Sequence, residues 1–348
     1  DGHSAARGLA SGFGAMWLTW GNLAPLLAGA ALSHSFVQVL KLGADVQHTF
    51  ETIRVLSEES AGAVAGLNNQ MQELARTGPF GPKEIAQAMK TLSLAGLNAV
   101  EVGQAVKEVL NFAVVGDTSI AQAADVLTSV GAAFRISASD YNYIGDVIAK
   151  AAAVSKSSVE SMGNAFRTAS TVNSLYGVSL KDVGVNLALL ANIGIQNSAA
   201  GTSLTNMYID LAGRTPKATK ALKELGVTAL DPLTGKMREL GPLYKDLLAA
   251  LATKTPVTQI QYINGIFAQR SRKDVIALVD SMRTAAKEGG DGVVTEFDRI
   301  SKEIANAAGF QATAAVVMML TPLNQMKSVA AMLQADFAEA FSGLEPYV

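Results

Sequence analysis

The sequence contains no cysteine, which excludes disulfides, thiolate metal sites and cysteine nucleophiles. Histidine is almost as scarce. His3, His34 and His48 are the only three, and their spacing offers neither an HExxH pair nor a base for a catalytic triad later in the chain. Charged residues make up only 17%, against roughly a quarter in an ordinary soluble domain. The 28 Lys and Arg against 30 Asp and Glu leave a net charge of −2 without any basic run, which argues against nucleic acid as a direct ligand and gives no expectation of sequence-specific nucleic-acid contact. Phosphate-binding loops are missing too. Gly235 and Lys236 resemble the end of a P-loop, but Leu230 stands where that loop needs glycine, and Trp17 occupies the third glycine position of a dinucleotide fingerprint begun by Gly12 and Gly14.

The remaining carboxylates, such as the adjacent Glu58 and Glu59, read as solvated or helix-capping groups rather than as an acid and base pair. No residue is assigned a catalytic, cofactor-binding or metal-ligating role, no cofactor is expected, and the chain reads as a non-enzyme.

What the sequence has in excess is apolar surface: 49% of its 348 residues are hydrophobic. Such a balance suits helices that are covered by other copies of the chain, by partner subunits or by lipid. From residue 51 to about 225 the apolar residues fall at helical spacing, and capping signals recur. Leu97-Asn98 with Glu101, Ile136-Ser137 with Asp140, and Val178-Ser179 with Asp182 form one set of helix starts; Pro82, Ser119 and Ser157, the last closed by Glu160, form a second. A period near 40 residues predicts an all-α fold of stacked helical hairpin repeats, each pair needing its neighbours to cover its apolar face. One exception is expected, a small β-hairpin over residues 227–238 around Asp231-Pro232-Leu233-Thr234-Gly235. Gly289 to Gly292 form a break, and the chain divides into an apolar helical segment at 1–50, a helical core at 51–285 and a second apolar segment at 286–348.

The two ends hold the candidate contact residues. Leu9 to Leu32 carries no charge and is long enough to span a bilayer at about 1.5 Å per residue, but Gly12, Gly14, Gly21, Pro25 and Gly29 interrupt it and Trp17 and Trp20 fall in its middle rather than at its rims. Ile304 to Met326 is a second charge-free run. Gly184 to Ile209 is equally uncharged inside the helical core, so the end segments read as partner-helix surfaces in preference to membrane spans. The candidate membrane or partner-helix contacts are Gly8, Gly12, Trp17, Trp20, Leu26 and Leu27 in the first run, and Val316, Val317, Met318, Met319 and Leu320 in the second. Gly8 with Gly12, and Gly62 with Gly66, give GxxxG spacing that permits close helix approach.

Several motifs follow one another in a familiar order. Thr77-Gly78-Pro79-Phe80-Gly81, Ser93-Leu94-Ala95-Gly96, Thr118-Ser119-Ile120 and Val178-Ser179-Leu180-Lys181-Asp182 lead to Leu189-Leu190-Ala191-Asn192-Ile193-Gly194-Ile195, then Ala199-Ala200-Gly201-Thr202-Ser203-Leu204. Leu225-Gly226-Val227, Asp231, Gly235 and Leu240 come after these. Over about residues 51–285 this order resembles the core of bacteriophage tail tape measure proteins. The resemblance implies a structural virion protein that sets tail length during assembly and leaves the tail during genome delivery. Implied partners are other copies of the chain, tail tube and tail tip proteins, assembly chaperones and, after ejection, the host membrane. Implied locations are the tail lumen or tip, after assembly in the host cytoplasm. A start at Asp1 rather than Met is expected of a segment of a longer gene product. Two other readings stand beside this one: a membrane-active or pore-forming helical protein, and a helical-repeat adaptor.

Overall fold

A computed structural model describes residues 31–289 and 295–342. Sixteen α-helices account for nearly all regular structure among these residues, so the all-α expectation holds. The first nine are α1 (Ala31–Leu56), α2 (Ala61–Thr77), α3 (Pro82–Leu94), α4 (Ala99–Gly116), α5 (Ile120–Phe134), α6 (Tyr141–Ala153), α7 (Val159–Leu175), α8 (Leu180–Asn192) and α9 (Asn197–Leu211). Local chemistry sets their starts. The Asn98 side chain accepts the Glu101 N–H while the Glu101 carboxylate accepts the Asn98 N–H, a reciprocal box that satisfies two orphan donors of α4. Ser119 and Ser179 cap α5 and α8 in the same position. At α7 the cap is Ser158, one residue beyond the expected Ser157, and Glu160 accepts from Gln122 instead of closing a box. Ser137 opens a 3-10 turn (Ala138–Asp140) by donating to Asp140, and α6 follows directly.

These helices lie in two rows. α1, α3, α5, α7 and α9 pack one upon the next, α2, α4, α6 and α8 do the same beside them, and sequence neighbours join the rows. Between the rows sit fully buried Phe112, Leu127, Ile144, Ile148 and Phe166. α9 approaches α7 closely, so that a Cβ on Gly201 would collide with the Ala165 carbonyl oxygen and Thr168. Glycine is required there because two backbones touch.

After α9 come α10 (Pro216–Glu224), α11 (Leu240–Ala252), α12 (Pro256–Ile266) and α13 (Gln269–Gly289). The β-hairpin expected over 227–238 does not form as strands. Its turn is present, with the Asp231 carboxylate accepting the Leu233 and Thr234 N–H groups and Gly235 at φ 68°. Pairing, however, reduces to one antiparallel bridge, Leu230 to Met237. The Asp231 N–H donates to the Lys236 carbonyl at 2.8 Å and the Arg238 N–H to the Ala229 carbonyl at 3.0 Å on either side of this bridge, while the Met237 N–H, on the outer edge, donates to the Tyr176 carbonyl after α7 at 2.7 Å.

The last three helices are α14 (Thr295–Ala305), α15 (Phe310–Met319) and α16 (Pro322–Ser342). They run back along the second row: α14 on α8 and α6, α15 on α6 and α4, α16 on α2 with further contacts to α1 and α3. The charge-free run from Ile304 to Met326 is therefore not one span. A turn at Gly309, φ 76°, and the break before Pro322 cut it into the end of α14, a ten-residue α15 and the start of α16. Among the described residues no helix is long and apolar enough to cross a membrane.

Candidate assembly face

The three returning helices form a strap whose parts are seated differently. α14 is an ordinary amphipathic helix: Phe297, Ile300 and Ile304 are buried, and Phe297 meets Tyr244 of α11 edge-on at 5.8 Å. Burial holds the Tyr244 hydroxyl well above its ordinary pKa, where it donates to Asn186 at 2.5 Å.

α15 and α16 are inverted. On α15 the buried residues are Gln311 and Ala315; on α16 they are Ala331 and Ala335. The large apolar side chains point outward: Val316 and Val317 are 60% and 63% exposed, Leu320 and Leu323 both 64%, and Met326 73%, while Met318, Val329, Met332 and Leu333 are also exposed. Met319 is half-buried. Nine large apolar side chains are thus left exposed on two consecutive helices, the kind of surface that marks an interaction site where it is contiguous. Leu323, Met326, Ala330 and Leu333 follow a 3-4-3 spacing, the stripe that one helix offers to another.

Polar groups hold α15 in place. Asp146 of α6, only 3% exposed, accepts the backbone N–H groups of Gly309 and Gln311 at 2.7 Å each. Gly309, the residue before α15, has no side chain to cap the helix, so a carboxylate from another helix does so. Burial pushes the Asp146 carboxyl up from its ordinary range and outweighs the two N–H bonds that pull it down. The Gln311 side chain donates to the Glu108 carbonyl oxygen at 3.0 Å and occupies the space where a side chain at residue 145 would lie, which only Gly145 leaves open. Around this seam Lys150 bonds Glu303 at 2.8 Å and lies 5.1 Å from the Phe310 ring, Asn192 bonds Glu296, and Arg76 bonds Asp336. The Glu303 carboxyl is held low by Lys150, and that of Glu296 by Arg299.

Of the contact residues expected from the sequence, Val316, Val317, Met318, Met319 and Leu320 thus lie on or beside the outward face of the strap. Gly8, Gly12, Trp17, Trp20, Leu26 and Leu27 lie outside the described residues, as does almost all of the Leu9 to Leu32 run. Gly62 and Gly66 fall on an exposed side of α2 with no close neighbour beyond their own turn. Sequence reasoning missed the latch formed by Asp146, Gly145 and Gln311. Its one visible signal is a lone acid amid Ile144, Val147 and Ile148, on a helix side that must otherwise be buried. Among the described residues no cluster of His, Asp or Glu could hold a metal, and no arrangement of acid, base and nucleophile is assembled at the seam.

The family described as phage-related minor tail protein matches residues 68–268. A tape measure protein of Pneumococcus phage Dp-1 is 27% identical over 99% of the chain, and a probable tape measure protein of Escherichia phage P2 is 25% identical over 70% of it. The chain spans 30% and 31% of the lengths of these two relatives. No solved structure matches it.

Proposed function

The chain belongs to the phage-related minor tail protein family, which sets it among the structural components of the virion tail, and from that premise we propose that it is the core region of a tape measure protein. In this reading the parent protein sets tail length during assembly and is released during genome delivery, as a structural element and not as an enzyme. The observation that carries it is the similarity to a protein of that name along 99% of the chain, which includes the strap as well as the helical rows. The two rows act as an array of stacked hairpins of about 40 residues, a compact body on a longer ruler. The outward face of α15 and α16 receives helices of other copies or of tube, tip and chaperone partners. Its rim supports a protein partner over lipid: Lys327 is the sole basic residue between Phe310 and Asp336, and the segment has no tryptophan, whereas a helix lying on a membrane uses cationic and aromatic borders.

The test is tail length by electron microscopy after in-frame deletions in helical tracts of the parent gene outside residues 51–285. Shortening by about 1.5 Å per deleted residue is expected of an extended helical ruler. Tails of unchanged length would remove the length-setting role and leave a tip or delivery component.

A further inference from the structure

The net charge of −2 averages over an uneven distribution. Between residues 214 and 273 the sequence carries eleven Lys and Arg against four Asp and Glu, a net of +7, so the rest of the chain carries −9. Part of this excess lies on α10 and at the start of α13, which the fold brings together. The Arg214 side chain reaches Asp210 at the end of α9, and the same carboxylate accepts the Ala268 N–H at 2.9 Å and the Ser271 hydroxyl at 2.8 Å. The starts of α10 and α13 therefore meet around one buried, fully engaged acid. Lys217 lies against Gly265 of α12, the helix on which α10 packs. Arg270 and Lys273 project from the first turn of α13, where helices ordinarily place acids.

Four acids lie in this stretch, of which Glu239 is exposed, and Lys245 bonds Asp298 of α14 at 3.2 Å. Glu224 lies 3.8 Å from Lys220, Asp246 bonds Arg238, and Asp231 is consumed by its own turn. Lys217, Lys223, Arg270 and Lys273 are exposed and make no ion pair with any described residue. Lys217, Lys220 and Lys223 step along exposed positions of α10 at intervals of about 4.5 Å of helix rise. The exposed large apolar residues described in the unit, Leu233, Val257, Ile260 and Ile276, are aliphatic, so no exposed aromatic anchor of a protein-binding hot spot is among them. Lysines on flexible stems are point charges suited to phosphates and carry no base readout.

We infer that the α10 to α13 end of the molecule binds the phosphodiester backbone of nucleic acid without sequence preference. This inference goes beyond the tail-structural role and stands on charge and placement alone. The probe is a fluorescently labelled duplex DNA of about 30 base pairs and random sequence, titrated with the full chain between 50 and 200 mM salt. With five phosphates neutralised by Lys217, Lys220, Lys223, Arg270 and Lys273, the slope of log K against log salt is about −4.5, a loss of roughly 500-fold across that range. Replacing Lys217→Gln, Lys220→Gln and Lys223→Gln together should reduce the slope to about −1.8. These side chains are exposed, so folding is unaffected, and Lys107→Gln with Lys327→Gln, on other surfaces, should leave binding unchanged. Absence of binding at 50 mM salt, or equal loss in the two sets of variants, would overturn the inference. Displacement of the duplex by polyglutamate at equal charge concentration would also overturn it, by assigning the end to an acidic polypeptide.

Discussion

α14 and α15 follow each other in sequence and lie on the same row of helices, yet they are seated in opposite ways. α14 turns Phe297, Ile300 and Ile304 into the molecule and leaves Asp298, Arg299 and Lys302 to solvent or the rim. α15 turns Gln311 and Ala315 inward and leaves Val316, Val317 and Leu320 outside. For α14, burial of large side chains supplies the attachment. For α15 the underside is small and polar, and attachment comes from an acid that caps the helix from α6 and an amide fitted against a glycine. A helix that hides its small residues and shows its large ones leaves its apolar surface uncovered, and that surface is the basis of the contact role proposed for this face.

Five variants test that contrast. Truncating Ile300→Ala, fully buried under α14, should cost about 2–5 kcal/mol in denaturant unfolding; a cost below 1 kcal/mol would mean that α14 is not an apolar anchor. Asp146→Asn should cost about 1–3 kcal/mol, because the amide keeps one acceptor and turns an NH2 group toward the second N–H. Its effect should be concentrated in hydrogen exchange of α15, with the helix rows little changed. That variant also carries a pH signature. Because the Asp146 carboxyl is raised in the fold, its share of stability is fully present below the ordinary carboxylate range and is lost as pH rises through the raised value. The advantage of the native chain over Asp146→Asn should therefore shrink from pH 3 toward pH 7. An advantage that grows over that interval would show that the N–H bonds outweigh burial.

Smaller effects are expected of the remaining three. Gly145→Ala forces the flexible end of Gln311 aside at a cost of about 1 kcal/mol, again read as faster exchange in α15, whereas Gly66→Ala, with open space around it, should be neutral or stabilising by up to about 1 kcal/mol. Equal costs at the two sites would remove the latch. Last, Leu320→Ser with Met326→Ser should change unfolding free energy by no more than about 0.5 kcal/mol per site while weakening association of the chain with itself or with tail partners in sedimentation and pull-down measurements. A large loss of stability would show that these side chains are packed within the molecule and are not a docking face.

Much of the helical framework was legible in residues. Asn98 with Glu101, Ser119 and Ser179 mark helix starts because a short polar side chain before an apolar run can satisfy the first free N–H groups locally, without tertiary help. Ser157 and Ser158 differ by one position because both can cap, and packing of α7 decides between them. The hairpin at 227–238 was readable as a turn, because Asp231 and Gly235 act on their immediate neighbours, but its pairing stops at one bridge and does not extend into strands. The latch was illegible because Asp146 and Gln311 lie 165 residues apart, and no local pattern links them.

The sequence by itself determined that the chain is helical, that it has no thiol chemistry, and that it is rich in apolar side chains and poor in charge. Composition and period act through neighbours in the chain, so they can be read there. Which side of α15 faces inward was decided only by the tertiary structure. A helix apolar on nearly every side has no preferred face of its own, and its orientation follows from where Asp146 and Gly145 stand on another helix.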